Sequence, residues 1–399
     1  MARNSTFNIL MYSHDTYGLG HIRRTMAIAS HLRAPRINIL ILTGSPIVGR
    51  FNFPEQIDFV RIPGMIKKTN DEYQPLSIKI NPRHALDIRK NIITATAKTF
   101  QPHLFIVDKE PLGLKREVLP TLQWLRRSCP RSRTILGLRD VMDDRDTVRT
   151  DWRKKGIYDA LDQLYTEIWV YGHQEMYDPI EAYAIPESVR PKIHFTGYIP
   201  RRVPTAEAVA RVKKEATKVQ GRKLVAVTGG GGGDAYPLMD AYLAMLEQTG
   251  AADRIDSVLI AGPFMPKSDR KRLVRRGRRL GVTVHRFFRR MEEMLAAADL
   301  VVGMAGYNTL CEILSQKTLS LLIPRETPRK EQLIRSQIFK QKGLADYIPW
   351  SQVSARSLQD KVFHLLENAR HFREAIDNFP LTGLDRMQQR LKTFRQKKK

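Results

Sequence analysis

Acidic residues are scarce in this chain of 399 residues: 41 Asp and Glu stand against 67 Lys and Arg, a formal net charge of +26. Cysteine is rarer still. Cys129 and Cys311 lie in unrelated contexts without metal-ligand spacing, which excludes a disulfide scaffold and a cysteine-held metal centre and leaves two reduced thiols. No run approaches the roughly 18 apolar residues of a membrane-spanning helix, and the apolar stretch 7–12 is too short for the core of a secretory signal. The expectation is a cytosolic protein. No Ser, Gln or Pro tract is present and 42% of the chain is hydrophobic, which excludes a disordered protein and predicts about two domains with sizeable cores.

The basic excess implies polyanionic company. Residues 265–290 hold eleven basic side chains and one acid, and the end of the chain adds Arg390, Lys392, Arg395 and Lys397 to Lys399. Nucleic acid is not expected, because zinc-knuckle spacing, an aromatic RNP-like strand and a short helix-turn-helix are all missing. An anionic membrane surface fits the same charge, and the loop 62–68 sets apolar residues beside lysines. A solvated basic face that serves solubility remains the alternative.

Apolar runs alternate with amphipathic segments almost throughout. The first half reads as strands over residues 7–12, 37–43, 57–62, 104–108, 134–138, 167–171 and 192–196, with helices over 82–100 and 114–127. The second half reads as strands over 223–228, 257–261, 282–285, 300–302 and 320–323, with helices over 236–248, 269–279, 291–297, 309–316 and 330–342. This alternation predicts an α/β protein of parallel sheets wound on both faces. The run Gly197-Tyr-Ile-Pro-Arg-Arg-Val-Pro204 and the polar segment after it have the composition of a connection. The expected domains are therefore 1–200 and 222–379, joined by 201–221, with a last helix at about 380–399 packing back on the first domain.

In open parallel sheets ligands bind beyond the carboxyl ends of strands, and three glycine-bearing joints fall there. Ala298-Asp-Leu-Val-Val-Gly-Met-Ala-Gly-Tyr-Asn-Thr-Leu-Cys-Glu312 reads as a buried strand, a turn at Gly306 and a helix whose first amides, around Tyr307, Asn308 and Thr309, face an anion. Glu312, one turn in, is placed for ribose hydroxyls; an ordinary strand-to-helix joint would leave it as a surface residue. Gly229-Gly-Gly-Gly-Gly-Asp234 follows a strand but lacks the Gly-Lys-Ser/Thr of a phosphate-binding P-loop and the spacing of a dinucleotide fingerprint. Near the start, Gly18-Leu-Gly20-His21 links the first strand to a helix. Asp108, and Arg139 with Asp140, also sit at strand ends. His21 titrates in the range of a general base, and Asp108 can orient it as a triad carboxylate does. The other reading makes His21 a packing residue and Asp108 a helix cap. His14 follows its strand too early to be the favoured base.

These residues resemble the GT-B glycosyltransferases of family 28, which include the bacterial cell-wall enzyme that adds N-acetylglucosamine to a lipid-linked acceptor, and the whole chain resembles an uncharacterised bacterial branch of predicted glycosyltransferases. The resemblance covers both halves and is most specific over 282–341. It rests on Phe287, Phe288 and Met291, then on Ala298-Asp-Leu-Val-Val302, Ala305-Gly-Tyr-Asn-Thr-Leu-Cys-Glu312 and Arg329-Lys-Glu-Gln-Leu-Ile-Arg335. It implies two Rossmann-like domains facing across a cleft and a nucleoside-diphosphate sugar, a UDP-sugar by preference, as donor. Phe287 and Phe288 would flank the base, Glu312 would hold the ribose, and Gly306, Asn308 and Thr309 would face the diphosphate. Gly229, Gly230 and Gly231 would approach that diphosphate, and Glu331 and Gln332 would meet the sugar. Gly18, Gly20 and His21 match the family's N-terminal glycine-histidine loop. No metal or further cofactor is implied, and an anionic or lipid-linked acceptor on the inner membrane face is expected. The chain departs from the family at Glu331, where Gln is common, at Arg335, where a small or amide residue is common, and at Arg24, where proline often stands. A nucleotide-sugar 2-epimerase of the same fold and a non-catalytic polyanion-binding protein are the alternative functions.

Overall fold

The computed structural model describes residues 6–15, 20–67 and 72–396. It divides the chain into two compact units: 1–199 together with 382–399, and 200–381. The first unit opens with β1 (Phe7–Ser13), α1 (Gly20–Leu32), β2 (Ile37–Thr43), β3 (Ile57–Arg61), β4 (Met65–Lys67) and β5 (Tyr73–Pro75). It continues with α2 (Pro82–Phe100), β6 (Leu104–Asp108), α3 (Leu119–Ser128), β7 (Arg133–Arg139), α4 (Arg145–Lys155) and α5 (Ile157–Leu164). It closes with β8 (Glu167–Tyr171), α6 (Pro179–Ala182) and β9 (Ile193–Phe195).

The second unit contains α7 (Ala206–Ala216), β10 (Lys223–Thr228), α8 (Tyr236–Thr249), β11 (Ile255–Ile260), α9 (Lys267–Arg279), β12 (Thr283–His285) and α10 (Met291–Ala297). After these come β13 (Leu300–Gly303), α11 (Tyr307–Ser315), β14 (Ser320–Leu322), α12 (Glu331–Gln341), β15 (Asp346–Tyr347), α13 (Ala355–Glu367) and α14 (Ala369–Asn378). Helix α15 (Gly383–Gln396) belongs to the first unit again, where it packs on α1. Gly383 N donates to Tyr198 O at 3.0 Å and Arg390 pairs with Glu167, which ties the returning chain to the sheet edge.

Both main sheets are parallel, with strand orders β3-β2-β1-β6-β7-β8-β9 and β12-β11-β10-β13-β14-β15. Their apolar strands are covered on both faces, so β6, β8, β11 and β13 are buried along their whole length. In the first unit Leu10, Phe105, Val107, Leu136 and Ile168 meet Ile93, Leu122 and Leu161 from the covering helices. Each such side chain contributes about 1.5–3 kcal/mol. In each sheet the order reverses beside its first strand: β1 lies between β2 and β6, and β10 between β11 and β13. Those reversals open crevices at the carboxyl ends, where the glycine joints fall.

The structure departs from the periodicity in definite places. The helix expected over 114–127 is broken: Leu114–Arg116 is a 3₁₀ turn with Lys115 and Arg116 at positive φ, and α3 starts only at Leu119. At this break the Glu117 carboxylate turns inward to Arg89, at 2.5 Å, and to the Tyr12 hydroxyl, at 2.6 Å. Residues 201–221, whose composition suggests a connection, contain α7, which packs on α10 and buries Val212, and they cluster with the second unit. The hairpin β4–β5, the edge strand β15 and the polar helix α4 escape the pattern. Only Val148 and Trp152 of α4 are buried; Asp144 caps it and Gly156, at φ 65°, ends it.

Candidate functional site

In the first unit the register of β1 and β6 pairs Tyr12 with Val107, so the residues that follow each strand emerge side by side. β1 ends at Ser13 and runs on into His14 and Asp15, and β6 ends at Asp108 and runs on into Lys109, all buried. Asp15 holds the start of α1, accepting from Ile22 N at 3.1 Å and from the Thr43 hydroxyl at 2.5 Å. Burial pushes its carboxyl up to about 6 against those hydrogen bonds. Gly20 opens α1, and Gly18 lies outside the described residues.

His21, in the first turn of α1, points its Nδ1 at Asp108 Oδ2, 2.5 Å away. The imidazole keeps 16% side-chain exposure and the carboxylate 6%. Burial pulls His21 down to about 4; Asp108 opposes this shift, while Arg24 and Lys109 add to it. Asp108 is held far below the usual carboxylate range, its desolvation outweighed by Arg24 and His21. The ionised carboxylate therefore accepts the Nδ1 proton, which leaves the lone pair on Nε2, the tautomer a general base requires. His14 is buried too, its ring centroid 5.7 Å from that of His21, but its Nδ1 sits 3.2 Å from the Tyr12 hydroxyl inside the Glu117–Arg89 network. It is a packed neighbour of the dyad.

In the second unit β10 and β13 pair in register, Thr228 with Gly303, and deliver two loops to one edge. Gly230 and Gly232 of the first loop have φ of 66° and 87°, left-handed values that favour glycine. A Cβ on Gly232 would stand 2.0 Å from Ala261 O, and one on Gly230 would stand 3.1 Å from Thr309 Oγ1. The glycine loop thus lies against the first turn of α11. Gly306 caps that helix without a side-chain bond, and its first turn has no acid. A Cβ on Gly306 would touch only Thr309 Oγ1, at 3.9 Å, so its bareness serves no packing need within the chain and leaves the helix end approachable. Glu312 is buried one turn beyond Asn308 and Thr309 on the same helix.

The other residues expected at a donor site are divided. Phe287 is 55% exposed just after β12, as a stacking surface for a base needs to be. Phe288 packs edge-on against His285, with the Arg290 guanidinium over its ring, and Met291 is buried. Glu331 and Gln332 are both engaged by Arg325, which donates to Glu331 Oε1 at 2.7 Å and, through its backbone, to Gln332 Oε1 at 3.0 Å. The same guanidinium reaches Asp234 of the glycine loop at 3.0 Å. Arg335 is fully buried and donates to Ala305 O at 2.8 Å, which braces the turn before α11.

Three arginines carry little sign of their roles in the sequence. Arg24 stands out there only as a departure from proline, yet it is 1% exposed and donates to both oxygens of Asp108. Its spacing from His21, three residues along one helix, is the available signal. Arg201, hidden in a stretch with the composition of a connection, donates through Nη2 to Asn308 Oδ1 at 2.8 Å. Arg325 has no signal beyond its place at the end of a strand. Among the described residues no group of three or more His, Cys, Asp or Glu could hold a metal ion.

Residues 224–391, from β10 into α15, match the sequence profile of the glycosyltransferase family 28 C-terminal domain. A stretch of 87 residues is 33% identical to the UDP-N-acetylglucosamine--N-acetylmuramyl-(pentapeptide) pyrophosphoryl-undecaprenol N-acetylglucosamine transferase of Streptococcus thermophilus, covering 21% of this chain and 24% of that protein. The chain thus matches about a quarter of that relative's length. The structure of MurG from Acinetobacter baumannii superposes with a TM-score of 0.60 at 11% identity, over 97% of this chain and 99% of that one. A UDP-glucosyltransferase from Polygonum tinctorium gives 0.66 at 11% identity, over 99% and 100%. At such identities these likenesses speak for fold alone, and they do so over both units. The chain is accordingly a protein of GT-B architecture that carries a glycosyltransferase family 28 C-terminal domain.

Proposed function

We propose that this protein is a glycosyltransferase that moves a sugar from a nucleoside-diphosphate donor, a UDP-sugar by preference, to an acceptor hydroxyl. The observation that carries this reading is the seating of the glycine loop against the uncapped start of α11, within the residues that match the family 28 domain. A diphosphate at that joint meets backbone amides and the positive end of a helix. Phe287 offers a face for the base, Glu312 an acceptor for ribose hydroxyls, and Arg325 with Glu331 and Gln332 borders the sugar.

His21 Nε2 takes the proton of the acceptor hydroxyl, and the oxygen attacks the anomeric carbon from the side opposite the leaving group. The bond from that carbon to the diphosphate oxygen breaks, and the nucleoside diphosphate departs with the electron pair. Attack from that side inverts the anomeric centre. Charge on the leaving group is stabilised by dipoles already in place, which is the larger part of such catalysis. The acceptor is anionic or lipid-linked and is met at the inner face of a membrane; the relatives' lipid-linked substrate and the basic face of α9 support this. Among the described residues no helix is long and apolar enough to cross a membrane.

The test is calorimetric titration of the full chain with a panel of nucleoside diphosphates and their sugars, followed by release of nucleoside diphosphate on addition of lipid-extract acceptors. Binding of one nucleoside diphosphate in the micromolar range, with sugar-dependent turnover, is expected. A chain that binds none of the panel overturns the reading.

A further inference from the structure

Arg24 is an unusual residue to find beside a base, because a fixed positive charge makes a neighbouring imidazole harder to protonate. Its guanidinium is almost wholly buried on α1, three residues beyond His21, so one helix turn presents both side chains to the end of β6. Arg24 Nε donates to Asp108 Oδ1 at 3.0 Å, and Nη2 donates to Oδ1 at 2.8 Å and to Oδ2 at 2.7 Å. Asp108 Oδ2 also accepts from His21 Nδ1, so a single carboxylate joins the guanidinium and the imidazole. Arg24 Nη2 lies 3.0 Å from His21 Nδ1 as well. Guanidinium has no lone pair and Nδ1 gives its proton to Asp108, so that contact is a close packing of two donors on a shared acceptor. On its other side the Arg24 guanidinium lies over the Tyr171 ring, 5.7 Å from the centroid.

The geometry points to Arg24 as a positioning residue that balances the charge of Asp108 and so holds His21 neutral, in the Nδ1–H form, ready to accept a proton. This inference rests on the reading of His21 as the base. A buried carboxylate beside a histidine, with no other cation, draws a proton onto the imidazole and creates an ion pair; the base is then already spent at neutral pH. With Arg24 in place the carboxylate is neutralised by a group that never releases its proton. The pair of side chains then acts as a hydrogen-bond acceptor for Nδ1 more than as a charge. The two-pronged grip also fixes the carboxylate plane, which a lysine ammonium would not do.

Among the described residues, Asp108 and Lys109 from the end of β6, His14 from the end of β1 and Arg24 from its own helix face His21, while Glu110 acts on His14 and Asp15 on Asp108. Lys109 pairs with Glu110 at 3.1 Å, and His14 is itself held neutral by burial. Arg24 is thus the cation in direct contact with both members of the dyad.

The experiment uses the full chain with ¹⁵N-labelled histidine, in wild type and in Arg24→Met and Arg24→Lys, each checked for a cooperative thermal melt. In the wild type, His21 should show the Nδ1–H tautomer and remain neutral at pH 6. In Arg24→Met its titration should move up by at least about one pH unit, and the acid limb of the pH–rate profile should move with it. Turnover at neutral pH should fall by about tenfold or more, with donor KM unchanged, within the range a general base contributes. Arg24→Lys, which keeps the charge but not the fork, should keep the low titration while losing part of the rate. Arg24→Gln, neutral but still able to donate to Asp108, should show the same upward shift as Arg24→Met and preserves the test if the methionine protein does not fold. A folded Arg24→Met or Arg24→Gln protein whose His21 titration and pH profile superimpose on the wild type overturns the inference. Normal turnover by His21→Ala would instead sink the reading of His21 as the base, and the NMR titration would stand apart from it.

Discussion

The Nδ1 of His21 and the Oδ2 of Asp108 stand 2.5 Å apart, a pairing set by the adjacency of β1 and β6 and by the place of His21 in the first turn of α1. The imidazole pulled down to about 4 has a kinetic consequence. The unprotonated base is the active form, so it is present above that value and lost below it. The acid limb of kcat/KM should therefore fall near pH 4 to 5, well under the 6.5 of a free histidine, and drop about tenfold per pH unit below. A limb near 6.5, measured in buffers of constant ionic strength, would remove His21 from the role of base.

Glu312 supplies a second check, on the donor side. If its carboxylate accepts ribose hydroxyls, Glu312→Ala should weaken nucleoside-diphosphate binding by about 1.5–3 kcal/mol, the range for hydrogen bonds to a charged group. Calorimetric titration reads this directly, and the deoxynucleotide offers a control, since it should bind the two proteins more nearly alike. Equal affinities for the ribonucleotide would place Glu312 in the packing of α11 alone.

The sheets are legible in the sequence because their strands are buried on both faces and read as plain apolar runs, with residues 104–108 and 223–228 matching to the residue. The glycine loop after β10 is legible for a related reason, since Gly230 and Gly232 take positive φ, whereas Gly306, at φ −68°, holds a conformation open to any residue. What escapes depends on partners distant in sequence. The break at Lys115 accompanies an inward turn of Glu117 toward Arg89, twenty-eight residues earlier, and local periodicity cannot carry that. Arg24, Arg201 and Arg325 escape likewise, because an arginine in a basic chain gives no sign of being buried until its acceptor is known. Helix α7 hides behind a polar composition, with Val212 as its fully buried anchor.

Gly232 tests whether the glycine loop is built for shape. Its φ of 87° and the 2.0 Å approach to Ala261 O oppose any side chain, whereas Gly156, at φ 65°, has nothing within 4 Å of the place a methyl group would take. Gly232→Ala should cost about 1–3 kcal/mol for the backbone and again for the clash, a fall in melting temperature on the order of 5–15 °C. Gly156→Ala should cost only the backbone part. Nucleotide added to Gly232→Ala should recover less stability than it gives the wild type. Identical melting shifts for the two variants would show that the loop relaxes freely and that its packing does not hold the site.

The basic helix α9 allows the membrane reading to be tested with a sharper set of changes than composition alone suggests. Not every arginine of α9 is available to a surface: the Arg276 guanidinium turns back to Asp240 at 2.7 Å and Glu247 at 2.6 Å on α8. Arg270, Lys271, Arg275 and Arg278 line one groove with the exposed Val274, on the side away from buried Leu273 and Gly277, and form no ion pair among the described residues. The lysines that end the chain and Lys68 lie outside the described residues, and the test does not need them. Changing those four side chains together to Gln should cut co-sedimentation with anionic vesicles by at least tenfold, since a basic residue near such a surface contributes about 1 kcal/mol. Binding should also fall as salt rises, because exposed charges are screened over about 10 Å at 0.1 M. Arg276→Gln should leave vesicle binding nearly intact and lower the melting temperature slightly. If the wild-type protein stays in the supernatant with anionic vesicles at low salt, or if it binds oligonucleotides with a steeper salt dependence than vesicles, the membrane reading fails and a soluble polyanion is the better partner for this face.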